Sequence, residues 1–194
     1  LGYMDKVQFI MMAGLIVGFI LALIITFKQT TSPYLAPVYA FCEGAFLGGF
    51  SAQIEAIYPG IAIQGIALTF MTTFAMLVIY KTGLIKVTDK FKAVLLSAMG
   101  GIFLLYLISF ILSFFGKQIP YLFSSSPIGI GFSIFVVIIA ALSLLPNFDF
   151  IEKGSQMMLP KYMEWYNAFG VMVTLVWLYL EIVRLLAKLR DNNR

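Results

Sequence analysis

The chain contains no histidine and one cysteine, Cys42. Disulfide frameworks, zinc sites and imidazole-dependent catalysis are therefore closed to it. A rhomboid-type serine protease and a His-Glu-x-x-His zinc protease both fail on the missing histidine. An intramembrane aspartyl protease needs two aspartates at membrane depth. Only Asp149 qualifies, because Asp5, Asp89 and Asp191 fall in flanks or loops. The residues point away from an enzyme. Charge is scarce as well: 11% of the 194 residues are Asp, Glu, Lys or Arg, while 61% are hydrophobic. A soluble domain carries about 25% charged residues, so a water-facing globule is excluded. The formal charge of +4 does not indicate nucleic acid, since the basic residues sit in short loops and at the last helix end, not in a patch interleaved with aromatics. Cys42 lies in an apolar run, where a free thiol packs as a small hydrophobe.

What the chain has instead is long apolar runs. A membrane-crossing helix needs about 20 mostly apolar residues, and six runs meet that length: about Val7 to Phe27, Tyr34 to Gln53, Ile61 to Tyr80, Ala93 to Phe115, Pro127 to Leu145 and Trp165 to Leu189. The first is too long for a signal-peptide core of about 7–15 residues and lacks a small-residue cleavage site, so it reads as a mature helix. Glu55, Tyr58, Pro59 and Gly60 mark one turn, and Gly116 to Pro120 another. Pro146 begins a polar link that reaches about Lys161. Unpaired backbone groups are not tolerated against lipid, so the spans are helices. The expectation is an all-α polytopic transmembrane helix bundle of six spans, residues 1–194 forming one domain. Gly44 with Gly48 and Ser97 with Gly101 stand at spacings where helices can approach closely.

The lysine-rich segment with Lys81, Lys86, Lys90 and Lys92 is placed in the cytoplasm by the positive-inside rule. Alternation then puts both chain ends outside. Arg184, Lys188, Arg190 and Arg194 make the last end basic too, which leaves the side of the C-terminus open. A re-entrant stretch between Phe148 and Lys161 would flip it.

An ionisable group at membrane depth costs at least a few kcal/mol and marks a candidate functional site. Glu43, Asp149 and Glu181 qualify. Glu43 fits either a protonated side chain bonded to a neighbouring helix or a functional group. Asp149 fits a helix cap or a headgroup contact as well as a site. In the last span Asn167, Gly170, Thr174, Trp177, Glu181, Arg184 and Lys188 recur at steps of three and four, hence on one face. A stripe of that polarity should turn inward. Arg184, three residues on, is the natural ion-pair partner of Glu181 unless it snorkels to the surface.

The strings Met163-Glu164-Trp165-Tyr166-Asn167-Ala168-Phe169-Gly170, Leu175-Val176-Trp177-Leu178-Tyr179-Leu180-Glu181-Ile182 and Arg184-Leu185-Leu186-Ala187-Lys188-Leu189 resemble the last helix of a bacterial branch of the Bax inhibitor family. Asn147-Phe148-Asp149-Phe150-Ile151-Glu152 resembles its preceding motif. Tyr39 to Gly44, Gly48 to Ser51 and Tyr58 to Ile61 add an earlier match. The resemblance implies a seven-helix membrane protein with the last helix at its centre. Six spans and a start at Leu1 then imply that the first family helix lies outside this sequence. It also implies a pH-sensitive calcium leak in a bacterial inner membrane, attributed in the family to two aspartates on the last two helices. Asp149 and Glu181 match that pair by position, glutamate replacing the second aspartate and lengthening its arm. One proton is expected to be shared between them. If the last two spans ended squarely at the surface, Glu181 would lie about 18 Å deep, so contact requires a protruding, tilted or bent last helix.

The site expected is therefore Asp149 and Glu181 as gate and pH sensor, supported by Asn167, Thr174 and Arg184, with Glu43 as a second candidate. Two carboxylates fall short of the six to eight oxygens of a full calcium site, so any calcium held by Asp149 and Glu181 is transient and no resident cofactor is expected. The partners expected are membrane lipid and cations. The alternative function is a non-conducting regulator that binds another membrane protein, such as a quality-control protease. A proton-coupled carrier has no repeat of broken helices to support it.

Overall fold

A computed structural model describes residues 3–116 and 124–193. Lys117 to Pro120 of the expected turn, and the terminal Arg194, lie outside the described residues. The described elements are α1 (Tyr3–Phe27), a 3-10 turn (Gln29–Thr31), α2 (Ser32–Ile57), α3 (Ile61–Lys81), α4 (Asp89–Phe114), α5 (Pro127–Leu142), α6 (Leu144–Gln156) and α7 (Tyr162–Asn192). Among the described residues there is no strand. Five stretches are long and apolar enough to cross a bilayer: Asp5–Phe27, Ile61–Lys81, Asp89–Phe114, Pro127–Gln156 and Tyr162–Asn192. α2 equals α4 in length at 26 residues but is diluted by Pro33, Pro37, Glu43, Gln53 and Glu55. The chain is an all-α polytopic membrane protein, as its apolar runs predict.

Local chemistry sets the helix ends. Thr88 caps α4, its side chain accepting the Phe91 amide at 3.2 Å, and Ser126 caps α5 by accepting the Gly129 amide at 3.3 Å. The Thr88 cap starts α4 at Asp89, four residues before the apolar run begins at Ala93. The turn between α2 and α3 runs through Gly60, whose φ of 82° suits glycine. The Glu55 carboxylate accepts the Gly60 amide and, at 3.1 Å, the Ala62 amide. A negative charge there favours the positive end of α3.

One boundary differs from expectation. The stretch from Pro146 reads as the start of a polar link, yet it belongs to α6, which continues to Gln156. Proline lacks an N–H and its ring clashes with the carbonyl four residues back, here that of Leu142. The helix accordingly stops at Leu142 and restarts at Leu144, placing Pro146 in a first turn where the missing donor costs little. Ser143 at the break donates its hydroxyl to the Ala140 carbonyl at 2.7 Å.

Packing gathers the chain into two compact units. Unit 1 comprises residues 1–64 and 147–176. In it α1 packs along α2, and Ile25, Ala36, Tyr39 and Phe169 form a buried cluster in which the Tyr39 and Phe169 rings meet edge to face at 4.9 Å. The glycines that permit close approach are not Gly44 and Gly48, around which a Cβ would meet nothing within 4 Å. They are Gly14, where a Cβ would lie 2.6 Å from the Cys42 carbonyl oxygen, and Gly49, where it would lie 2.7 Å from Met11 Cβ. Spacing of four marks a face of α2 but does not say which neighbour that face meets. Gly101 is likewise open.

Unit 2 comprises residues 65–146 and 177–194. Here Gly65 of α3 lies under α7, a Cβ at that position falling 2.5 Å from Val183 and 3.1 Å from Tyr179. Leu178, Tyr179, Ile182 and Val183 of α7 are buried beside Glu181 and Lys188. The buried surface of α7 is thus wider than its polar stripe. Phe103, Leu96 and Val94 of α4, and in unit 1 Phe9, Ile16 and Phe19 of α1, are exposed, as lipid-facing residues of a membrane protein are.

Candidate functional site

A carboxylate can be kept charged in a protein interior only if it is paired and hydrogen-bonded. Glu181 of α7 is 1% exposed, and its partners are supplied by position on the helix. Trp177 and Arg184 stand four residues before and three after it, on the same face. Arg184 Nη1 lies 2.9 Å from Oε1 and 3.1 Å from Oε2, and Trp177 Nε1 donates to Oε1 at 3.3 Å. The third partner comes from α4: the Tyr106 hydroxyl lies 3.0 and 3.1 Å from the two carboxylate oxygens. That hydroxyl accepts from Arg184 Nη1 at 2.7 Å, so its own proton is free to point at the carboxylate. The guanidinium carbon also stands 5.0 Å from the Tyr106 ring centroid, within cation–π range. Phe132 of α5 meets the other side of the cluster, edge to face with Tyr106 at 6.4 Å. The result is a closed triad of carboxylate, guanidinium and phenol.

Lys188, one turn further on, is 5% exposed. Its ammonium reaches α5, donating to the Gly129 carbonyl at 3.0 Å and to Ser133 Oγ at 2.8 Å. Unit 2 therefore holds two buried polar ties, α7 to α4 through Glu181 and α7 to α5 through Lys188.

In unit 1 the expected residues have four separate settings. Asp149 of α6 is 7% exposed and accepts from Lys153 Nζ at 2.9 Å, one turn along. Asn147 Nδ2 donates to Thr174 Oγ1 at 2.7 Å, and the Thr174 hydroxyl bonds the Gly170 carbonyl at 3.1 Å, which ties α6 to α7. Glu43 of α2 is 9% exposed and hydrogen-bonded by Tyr39, one turn before it. Gly18 of α1 makes room for it, a Cβ there lying 3.1 Å from Glu43 Oε1. Asn167 faces the α6 end, its Oδ1 shielded from solvent and without a hydrogen-bond partner.

Sequence spacing thus anticipates the Glu181–Arg184 pair, and the stripe residues Thr174, Glu181 and Lys188 are buried as an inward face requires. It gives no notice of Tyr106. A tyrosine in the middle of an otherwise apolar span was the available signal, since a buried phenol needs a partner. Nor does it foresee Lys153 as the immediate partner of Asp149, because α6 was expected to be a link, where spacing of four has no meaning. Among the described residues no three His, Cys, Asp or Glu side chains cluster as metal ligands do.

Apolar spanning helices that bury carboxylates against basic and phenolic side chains define an integral membrane protein with polar ties inside its transmembrane region. A family model described as Bax inhibitor 1 like matches residues 2–191. The chain belongs to the Bax inhibitor 1 like family. No match is found among curated proteins or among solved structures.

Proposed function

We propose that this protein is a pH-sensitive cation leak of a bacterial inner membrane, with calcium as the cation and with Asp149 and Glu181 as the proton-sensing carboxyl pair. The observation that carries this is the environment of Glu181, a buried carboxylate hydrogen-bonded by Arg184, Tyr106 and Trp177. Protonation removes the counter-charge of Arg184 and one acceptor of the Tyr106 hydroxyl, loosening the tie between α4 and α7. Asp149 has the same design on α6, a buried carboxylate answered by a lysine one turn away. Calcium as the cation and the pairing of the two carboxylates rest on the resemblance of the motifs around Asp149 and Glu181 to those of the family, and a calcium ion held by them is transient because two carboxylates cannot supply a full coordination shell. No catalytic step is part of this function.

Calcium flux into proteoliposomes, followed as a function of pH, tests the proposal. Asp149→Asn and Glu181→Gln should each flatten or displace the pH profile. If the two act as one unit, the double variant adds little beyond either single one. A wild-type profile in both single variants, with Glu43→Gln altering it, would move the sensor to α2.

A second reading is favoured by the open glycines. Gly44 and Gly48 of α2, and Gly100 and Gly101 of α4, have nothing within 4 Å of a built Cβ. Small residues on open faces are what a helix of another membrane protein packs against. A non-conducting regulator would use these faces, bind a membrane-embedded protease or similar partner, and show no flux in liposomes.

A further inference from the structure

A pocket of about 410 Å³ lies in unit 1, between the end of α6 and the start of α7. The turn that shapes it is held by the Leu159 amide on the Gly154 carbonyl at 3.1 Å and the Met158 amide on the Ser155 carbonyl at 3.2 Å. Met158 adopts a φ of 49°, a left-handed conformation uncommon for a side chain of its kind and one that stores strain. Ser155, Glu164 and Asn167 supply the polar lining, and Met158, Leu159 and Met163 part of the apolar wall.

The polar groups are short of donors. Asn167 Oδ1 is buried without a hydrogen bond, a state that costs free energy unless a ligand or water relieves it. Glu164 stands three residues before it on the same helical face, exposed, and forms no ion pair among the described residues. A carboxylate beside two neutral oxygens calls for a cation that donates hydrogen bonds. One carboxylate is too few for a hard divalent ion, which takes six or more oxygens. An ammonium group has three donors and no acceptor, and the apolar wall suits a short alkyl stem.

We propose that this pocket binds a primary ammonium group on a short apolar stem. Glu164 supplies the counter-charge, and Ser155 Oγ and Asn167 Oδ1 accept N–H bonds. Oδ1 reaches the ligand by rotation of the amide about its last torsion, which is broad rather than fixed. Two sources share this chemistry, a free alkylamine and the headgroup of an ethanolamine lipid.

Isothermal titration of the full chain in detergent with n-butylammonium chloride tests the site. Tetramethylammonium, which has charge but no N–H donor, should not compete. Glu164→Gln and Asn167→Leu should each weaken binding about tenfold or more, the usual effect of losing a charge-assisted bond. Asn167→Asp keeps the acceptor and adds charge, so it should tighten binding, an outcome that misfolding cannot produce. The same titration in phosphatidylcholine nanodiscs, with and without phosphatidylethanolamine, assigns the source: competition by the ethanolamine lipid identifies a headgroup, and its absence a free amine. Equal affinity for tetramethylammonium, indifference to all three substitutions, or heat released only with calcium chloride would overturn the proposal.

Discussion

At the scale of single residues, the two members of the Glu181–Arg184 pair are not equally protected. The Glu181 side chain is 2% exposed and that of Arg184 37%. Removing the arginine strands a carboxylate that water cannot reach, whereas removing the glutamate leaves a guanidinium that can still be hydrated. Arg184→Met should therefore cost roughly 3 kcal/mol, the low end for orphaning a buried charge, and Glu181→Gln distinctly less. Tyr106→Phe should fall between them at about 1–3 kcal/mol, the value of a hydrogen bond to a charged group. Denaturation midpoints of the purified variants in one detergent give the order. If Glu181→Gln proved the most damaging, the carboxylate would be holding the fold by its own bonds rather than being held. The double variant Glu181→Gln with Arg184→Met should recover part of the single loss, because it removes both charges.

At the scale of elements, α1 and α2 approach closely where Gly14 and Gly49 allow it. Gly14→Ala places a methyl 2.6 Å from a backbone carbonyl that has no rotamer by which to yield. The variant should lose about 1–3 kcal/mol, the range for overpacking. Gly44→Ala meets open space and should be neutral or slightly stabilising, as alanine is the better helix former. The comparison is made on thermal melting of both variants in detergent, and equal losses would mean that α1 seats against a different face of α2. The helices behind the six apolar runs were legible in sequence from length and hydropathy, although α2 is not among the five stretches long and apolar enough to cross and several helices extend three or four residues beyond their runs. What was not legible follows from tertiary geometry. The four-residue step of Gly44 and Gly48 is identical to a packing motif, and only the position of α1 shows that the contact lies elsewhere. In sequence Pro146 marks an ending, yet it also lies at a beginning, since a helix interrupted by proline can resume within two residues. The stripe on α7 identified Glu181, Thr174 and Lys188 as inward-facing from periodicity, but their partners Tyr106, Asn147, Ser133 and Gly129 lie between 27 and 75 residues away. No local pattern encodes such pairings.

At the scale of the whole molecule, the position of those partners along the chain bears on how the protein is made. α7 carries Glu181, Arg184 and Lys188 within its membrane-crossing stretch, and charged side chains at membrane depth oppose insertion. The groups that neutralise this burden, Tyr106 on α4 and Gly129 and Ser133 on α5, are all synthesised earlier. Synthesis proceeds from the N-terminus and upstream segments can settle first, so α7 emerges to find its receptors already in the membrane. The polar ties thus act as an ordering rule for biogenesis: the last helix enters because α4 and α5 are waiting for it. A glycosylation-mapping fusion of residues 157–194 alone should integrate poorly, and the same segment preceded by α4 and α5 should integrate well. Replacing Tyr106 with Phe and Ser133 with Ala in that longer fusion should lower integration again, while efficient entry of α7 by itself would show that its charges find lipid headgroups rather than the chain that precedes it.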